Sequence, residues 1–361
     1  MPIDTALTRT TSPLGPEVSA RRSLPQAAAV LVPGAALAAA IAVVASLLGS
    51  LVPVIGAPVM AIVMGIIVAT LRPPPPSARP GLAFVGKRVL QGSIVVLGLG
   101  LSLGQVLVAG AASLPVLVGT LVAALGAAWA VGRLLGLRTD LTTLIGVGTA
   151  ICGASAIAAT DAVIGAEEAD VSYAVATIFT FNVVAVLLYP TLGHLLGLSQ
   201  HAFGLWSGTA INDLSSVVAA STIYGHAAAG YGVVVKLTRT LAIIPIALGL
   251  AALRRRRAAE QPAARAGAPR VSLARVLPLF ILAFLVAVVA NTLGLVPGGF
   301  HHELSDSATW MITAALAAIG LSTRPAEIRR AGLRPLALGA ALWATVGAVS
   351  LALQFATGTL R

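Results

Sequence analysis

From residue 30 to residue 357 the chain is a succession of apolar runs, each close to the length at which a helix crosses a bilayer. A span takes about 20 mainly apolar residues, with about 17 to 25 the common range. Eleven runs meet that description, near 30–50, 55–71, 88–108, 113–135, 141–165, 171–196, 203–223, 229–253, 273–295, 306–323 and 333–357. The breaks between them, such as "RPPPPSARPG" (72–81), "GAEEAD" (165–170), "RRRRAAEQPAARAGAPR" (254–270) and "VPGGFHHE" (296–303), read as solvated loops by composition. Charged residues make up only 10% of the chain and its mean hydropathy is +0.97, whereas soluble domains carry roughly a quarter charged residues. The expected fold is an all-α polytopic membrane protein of about 11 transmembrane helices. Residues 1–29 read as a disordered cytoplasmic tail and 30–361 as a single transmembrane domain with an Arg-rich cytoplasmic loop at 254–272. A cleavable signal peptide is not expected, because the first apolar run lengthens into a span and many more follow.

The formal net charge is +11, and every cation except Lys87 and Lys236 is an arginine. The cations flank apolar runs instead of interleaving with aromatics on amphipathic stretches, which argues against a nucleic-acid partner and for membrane orientation. With the N-terminus inside, the tail and the loops around 72–88, 133–138, 254–275 and 324–334 collect 20 Lys and Arg on the inner side, leaving Arg361 alone outside. The expected orientation is N-in, C-out, with Glu167, Glu168 and Asp170 outside. Two segments echo one another, "LGLGLSLGQVLVAG" (97–110) and "AAIGLSTRPAEIRRAG" (317–332). In this topology they run in opposite senses, as inverted repeats of transporters do.

Polar groups inside the runs carry the functional expectation. The stretch "GTAICGASAIAATD" (148–161) is either a close-packing face of small residues or a discontinuous helix whose freed backbone groups face a protein-lined cavity. Its block of Thr149, Cys152, Gly153 and Ser155, with Asp161 two turns on, favours the broken helix. Asp161 itself also fits the outer end of a span. In "LWSGTAINDLSSVVAAS" (205–221) the pair Asn212-Asp213 lies near mid-span. An ionised Asp there costs at least about 2.5 kcal/mol, so it is expected to face a polar interior; Asp213 is the first candidate for a coupling-cation or proton site. In "YGVVVKLTRTLAIIP" (231–245) Lys236 and Arg239 share a helix face. They offer donors to an anion, or else neutralise Asp161 and Asp213 as salt-bridge partners. Asn182 reads as a polar contact between helices. His301-His302-Glu303 reads as a solvated loop, so no metal site is expected. No spaced Cys/His set, phosphate-cradling loop or nucleophile elbow appears, so neither an enzyme nor a bound cofactor is expected. Cys152 is the single cysteine, and no internal disulfide can form.

Four ordered segments, "TAICGASAIAAT", "FGLWSGTAINDLSSVVAAS", "VVVKLTRTLAIIPIAL" and "AALAAIGLSTR", resemble the signatures of the YeiH-like sulfate exporter family, over about residues 35 to 350. The resemblance implies a bacterial inner-membrane protein related to the cation/proton antiporter and bile-acid symporter folds, in which two discontinuous helices cross in a core domain. Where the family pattern commonly reads His-Asp followed by Gln, this chain has Asn212-Asp213 with Ser215 and Ser216, so a role for a titrating His at 212 is lost. The expected function is secondary transport of a small anion, of the sulfate or organic sulfonate class, coupled to H⁺ or Na⁺. Asp213 would bind the coupling ion, Lys236 and Arg239 would hold the anion or balance charge, and residues 148–156 would supply backbone ligands. The alternative is a cation/proton antiporter without an anion substrate. The partners expected are the anion and the lipid bilayer, with a homodimer left open. An intramembrane enzyme or receptor would instead show turnover or binding without flux.

Overall fold

The computed structural model describes residues 24–51, 56–246, 248–250, 252, 279–323 and 332–360; the tail over 1–23 and the Arg-rich loop over 254–272 lie outside the described residues. Among the described residues every regular element is helical. The helices are α1 (Leu24–Leu51), α2 (Gly56–Leu71), α3 (Pro76–Gly98, with a π-turn at Val85–Val89), α4 (Leu103–Leu134), α5 (Thr139–Ala150) and α6 (Ala154–Ile164). They continue as α7 (Glu168–Leu195), α8 (Gln200–Ala210), α9 (Leu214–Tyr224), α10 (His226–Thr240), α11 (Leu279–Thr292), α12 (His301–Ser322) and α13 (Leu333–Ala356). Seven helices among the described residues are long and apolar enough to cross a membrane: α1, α3, α4, α7, α10 with its continuation to Leu250, α12 and α13.

Several expected boundaries move, for local reasons. The third helix starts at Pro76 and ends at Gly98, so most of "RPPPPSARPG" is helical. The echoing G-L-S becomes the start of α4. Ser102 accepts the Gln105 N–H and Gln105 Oε1 accepts the Ser102 N–H, a reciprocal cap that satisfies two donors the helix start would otherwise orphan.

The fifth and seventh expected spans are corrected. Each is a pair of half-length helices that fold back on themselves instead of one helix running through. Arg138, just before α5, bonds Glu167, just after α6, with Nη1 and Nη2, and a Cβ on Gly148 would meet Ile157 at 3.0 Å. A straight run of that length would part Arg138 from Glu167 by roughly 40 Å. In the second pair Ser207 Oγ lies 2.7 Å from Ser221 Oγ, and Gln200 Oε1 accepts the Ala227 N–H at 2.9 Å. Helix α7, with 28 residues and about 42 Å long, joins the base of the first hairpin to the base of the second. The hairpins therefore enter from opposite ends of the molecule. The expected crossing of two discontinuous helices is replaced by two inverted hairpins whose tips meet. The sidedness expected for Glu167, Glu168 and Asp170 is revised with it, since Arg138 and Glu167 share one end.

The helices pack as two groups. Helices α1, α2, α3, α11 and α12 form the first, where small residues bring backbones close. A Cβ on Gly65 would lie 2.7 Å from the Ala317 carbonyl oxygen, and one on Gly81 2.7 Å from Gly34 Cα. The second group holds both hairpins with α4, α7, α10 and α13. The chain passes from the first group to the second at α3–α4 and again at α12–α13, where the two echoing segments lie; residues 324–331 of the second segment fall outside the described residues.

Candidate functional site at the hairpin tips

A helix that stops in the interior leaves its last carbonyls and the next helix's first N–H groups without intrahelical partners. At the first tip Gly153 turns the chain with φ +68°, ψ −132°, a conformation a β-carbon disfavours. At the second tip Asp213 caps α9, its Oδ1 accepting the Ser216 N–H at 2.6 Å. The tips touch: a Cβ on Gly153 would stand 3.3 Å from Asp213 Cβ.

The orphaned carbonyls of both first arms are taken by α10. Lys236 Nζ donates to the carbonyls of Ile151 (2.8 Å) and Ile211 (2.7 Å). Arg239 donates from Nε to Ala150 (2.7 Å), from Nη2 to Thr149 (2.6 Å) and from Nη1 to Ile211 (3.4 Å). Both side chains are sealed from solvent, at 0% and 1% exposure. Cations suit helix C-termini, where carbonyl partial charges accumulate. Both cations are thus bonded to backbone carbonyls, and neither is ion-paired with Asp161 or Asp213; the ion pairs among the described residues are Arg138 with Glu167 and Asp170, and His302 with Asp306. The pair clamps one tip to the other through backbone oxygens.

Asp213 faces elsewhere. Its Oδ2 accepts from Asn182 Nδ2 of α7 at 2.7 Å. Both residues line a cavity of about 110 Å³ with Ser215 and Ser216 on one side and Ile62, Gly86, Leu316 and Ile319 of the first helix group on the other. Asn182 was expected only as an interhelical contact; its burial at 3% and its unpartnered Oδ1 make it part of the site. No spacing in the sequence links 182 to 213, so no pattern could have found the pair.

The remaining candidates divide. Thr149, Cys152, Gly153 and Asn212 are buried at the tips, with Thr149 Oγ1 and Asn212 Oδ1 unpartnered. Ser155 is exposed on the first turn of α6. Asp161 is not brought to the tips. It sits near the far end of α6, where its Oδ1 accepts the Ala166 N–H at 3.0 Å. On the rim, the Arg138 hydrogen bond, and then its charge, hold the Glu167 carboxyl below its ordinary range. His301 bonds Asn291, and His226 Nδ1 meets Ser305 Oγ at 2.9 Å.

The family model described as Conserved hypothetical protein 698 matches residues 33–339. A UPF0324 membrane protein of Streptococcus pyogenes serotype M3 is 40% identical over 330 residues, covering 90% of this chain and 97% of that protein. A UPF0324 membrane protein of Streptococcus agalactiae serotype V is 39% identical over 336 residues (91% and 98%), and one of Fusobacterium nucleatum 36% over 327 residues (85% and 92%). With a polytopic helical fold and nearly end-to-end likeness to membrane proteins, the chain belongs to the Conserved hypothetical protein 698 family, whose relatives carry the name UPF0324 membrane protein.

Proposed function

We propose that this protein is a secondary transporter of the bacterial inner membrane, in which the hairpin group moves against the first helix group to expose the tips to alternate sides. The observation that carries the reading is that the two tips meet at Asp213 and that Asp213 also lines a cavity shared by the two groups. Transporters place their sites at such breaks, near the midplane between structural halves. Counting α2 and α11 as spans and each hairpin as none gives nine crossings. With N-in orientation this keeps the arginine-rich loops cytoplasmic.

The substrate class we favour is a small anion, on grounds of charge. Lys236 and Arg239 bring two buried cations and Asp213 one carboxylate, leaving an excess of one positive charge that low dielectric penalises. A coupling cation on Asp213 raises that excess, and a divalent oxyanion such as sulfate offsets it. The uncapped start of α6, with free amides at Ala154 and exposed Ser155, is the surface we assign to the anion. A second reading, cation exchange against protons with no anion substrate, is favoured by the absence of any cationic side chain from the cavity lining.

Labelled sulfate and labelled sodium uptake in proteoliposomes separate these. Gradient-driven sulfate uptake, lost in Asp213→Asn, is the expected result. Sodium exchange with no sulfate movement assigns the second reading. No flux of either ion overturns transport of both kinds.

A further inference from the structure

The amide of Asn182 is only half used. Its Nδ2 donates to Asp213 at 2.7 Å, while its Oδ1 is buried and accepts no hydrogen bond. Buried polar atoms are nearly always satisfied, so an orphan beside a cavity calls for a partner. Reversing the amide would not supply one, because it would set two acceptors against each other while Asp213 is ionised.

The polar residues that line the cavity are Asp213, Asn182, Ser215 and Ser216, each of which carries a side-chain oxygen. The nearby cations, Lys236 and Arg239, are turned onto backbone carbonyls and contribute nothing to the lining. Carboxylate, amide and hydroxyl oxygens together are ligands for a hard cation. A single carboxylate matches one positive charge, whereas dedicated divalent sites gather several. A proton on Asp213 would let the reversed amide accept the carboxyl O–H and would draw on neither serine, whereas a metal cation takes oxygen ligands from all of these residues. At about 110 Å³ the space admits an ion with part of its water shell.

We propose that Asp213, Asn182 and the Ser215–Ser216 pair form a binding site for a monovalent metal cation of sodium's kind, with Asn182 Oδ1 a direct ligand. The cation's coupling role rests on the transporter reading above, but its binding does not. Because the cavity wall is completed by Ile62 and Leu316 of the first helix group, the cation is held only while the two groups are apposed there.

The test is thermal unfolding of the purified full chain at pH 8, titrated with sodium chloride against choline chloride at constant ionic strength. Sodium raises the unfolding midpoint of the wild type. Asn182→Leu raises the half-saturating sodium concentration by about tenfold or more, the scale of a lost charge-assisted contact, and Asp213→Asn abolishes the response. Asn182→Asp keeps an oxygen at the position and retains the response, which separates a ligand from a packing residue and serves if Asn182→Leu fails to fold. A wild-type midpoint indifferent to sodium, or an Asn182→Leu response equal to wild type, overturns the proposal. Sulfate uptake that persists with choline in place of sodium, together with a midpoint indifferent to sodium, sinks the sodium site and leaves transport standing. Sodium binding without any flux does the reverse.

Discussion

Lys236 and Arg239 stand one helical turn apart, and that much is legible from "VKLTR". Burial in an apolar run also implies partners. What the sequence does not carry is the partners' identity, because backbone oxygens have no side-chain signature. They become available only where α5 and α8 stop. The clamp depends on geometry as well as charge. Arg239 reaches Thr149, Ala150 and Ile211 with a planar fork that a lysine's point charge cannot reproduce. Arg239→Lys is expected to leave at least one buried carbonyl unpaired and to destabilise the protein by roughly 2 kcal/mol, read as a lower unfolding midpoint in detergent. Arg138→Lys, on the exposed rim, is the control and is expected to change stability by less than about 1 kcal/mol. Equal effects of the two would remove the clamp.

At the scale of the element, an apolar run of span length looks the same in sequence whether its helix crosses the bilayer or turns back halfway. The glycine and hydroxyl content of 148–156 marks the first helix as broken, but the direction taken after the break is set by the φ of +68° at Gly153 and by packing against Ile178 of α7. Charge segregation could not expose the miscount either. Two hairpins in place of two spans cancel in parity, so the arginine-bearing loops keep their side and only 165–170 and 196–202 change. The Arg138–Glu167 contact betrays the difference. Since Cys152 is the lone thiol, single cysteines in a Cys152→Ala background give a direct measurement. Thr139→Cys and Ala169→Cys are expected to react with a membrane-impermeant maleimide from the cytoplasmic side only. Leu196→Cys and Ala227→Cys are expected to react from the outer side only. Labelling of 139 and 169 from opposite sides would restore a crossing span.

For the whole molecule, membrane residence was legible from hydropathy alone, because no soluble packing hides eleven apolar runs. The division into two groups was not, since it depends on which distant runs meet, and alanine- and leucine-rich faces match many partners equally well. The groups touch unevenly along their seam. Val218 and Ala219 of α9, with Val233 and Val234 of α10, join the apolar cluster that holds Ile62, Ile312 and Leu316. At the end where the second hairpin opens, His226 of α10 bonds Ser305 of α12. That half of the seam is closed. Below the tips, toward the first hairpin's base, Ala154, Ser155 and Ala158 are exposed. On the transporter reading proposed above, release at the end where the second hairpin opens requires the His226–Ser305 contact to part. A His226→Cys, Ser305→Cys pair in the Cys152→Ala background, bridged by a short bis-maleimide, is therefore expected to abolish flux while leaving sodium-dependent stabilisation in place. The same pair unbridged is expected to transport, because one exposed hydrogen bond contributes only about 1 kcal/mol. Undiminished flux through the bridged protein would mean that the two groups travel together, and the cavity at Asp213 would then have to open by a movement of the hairpins alone.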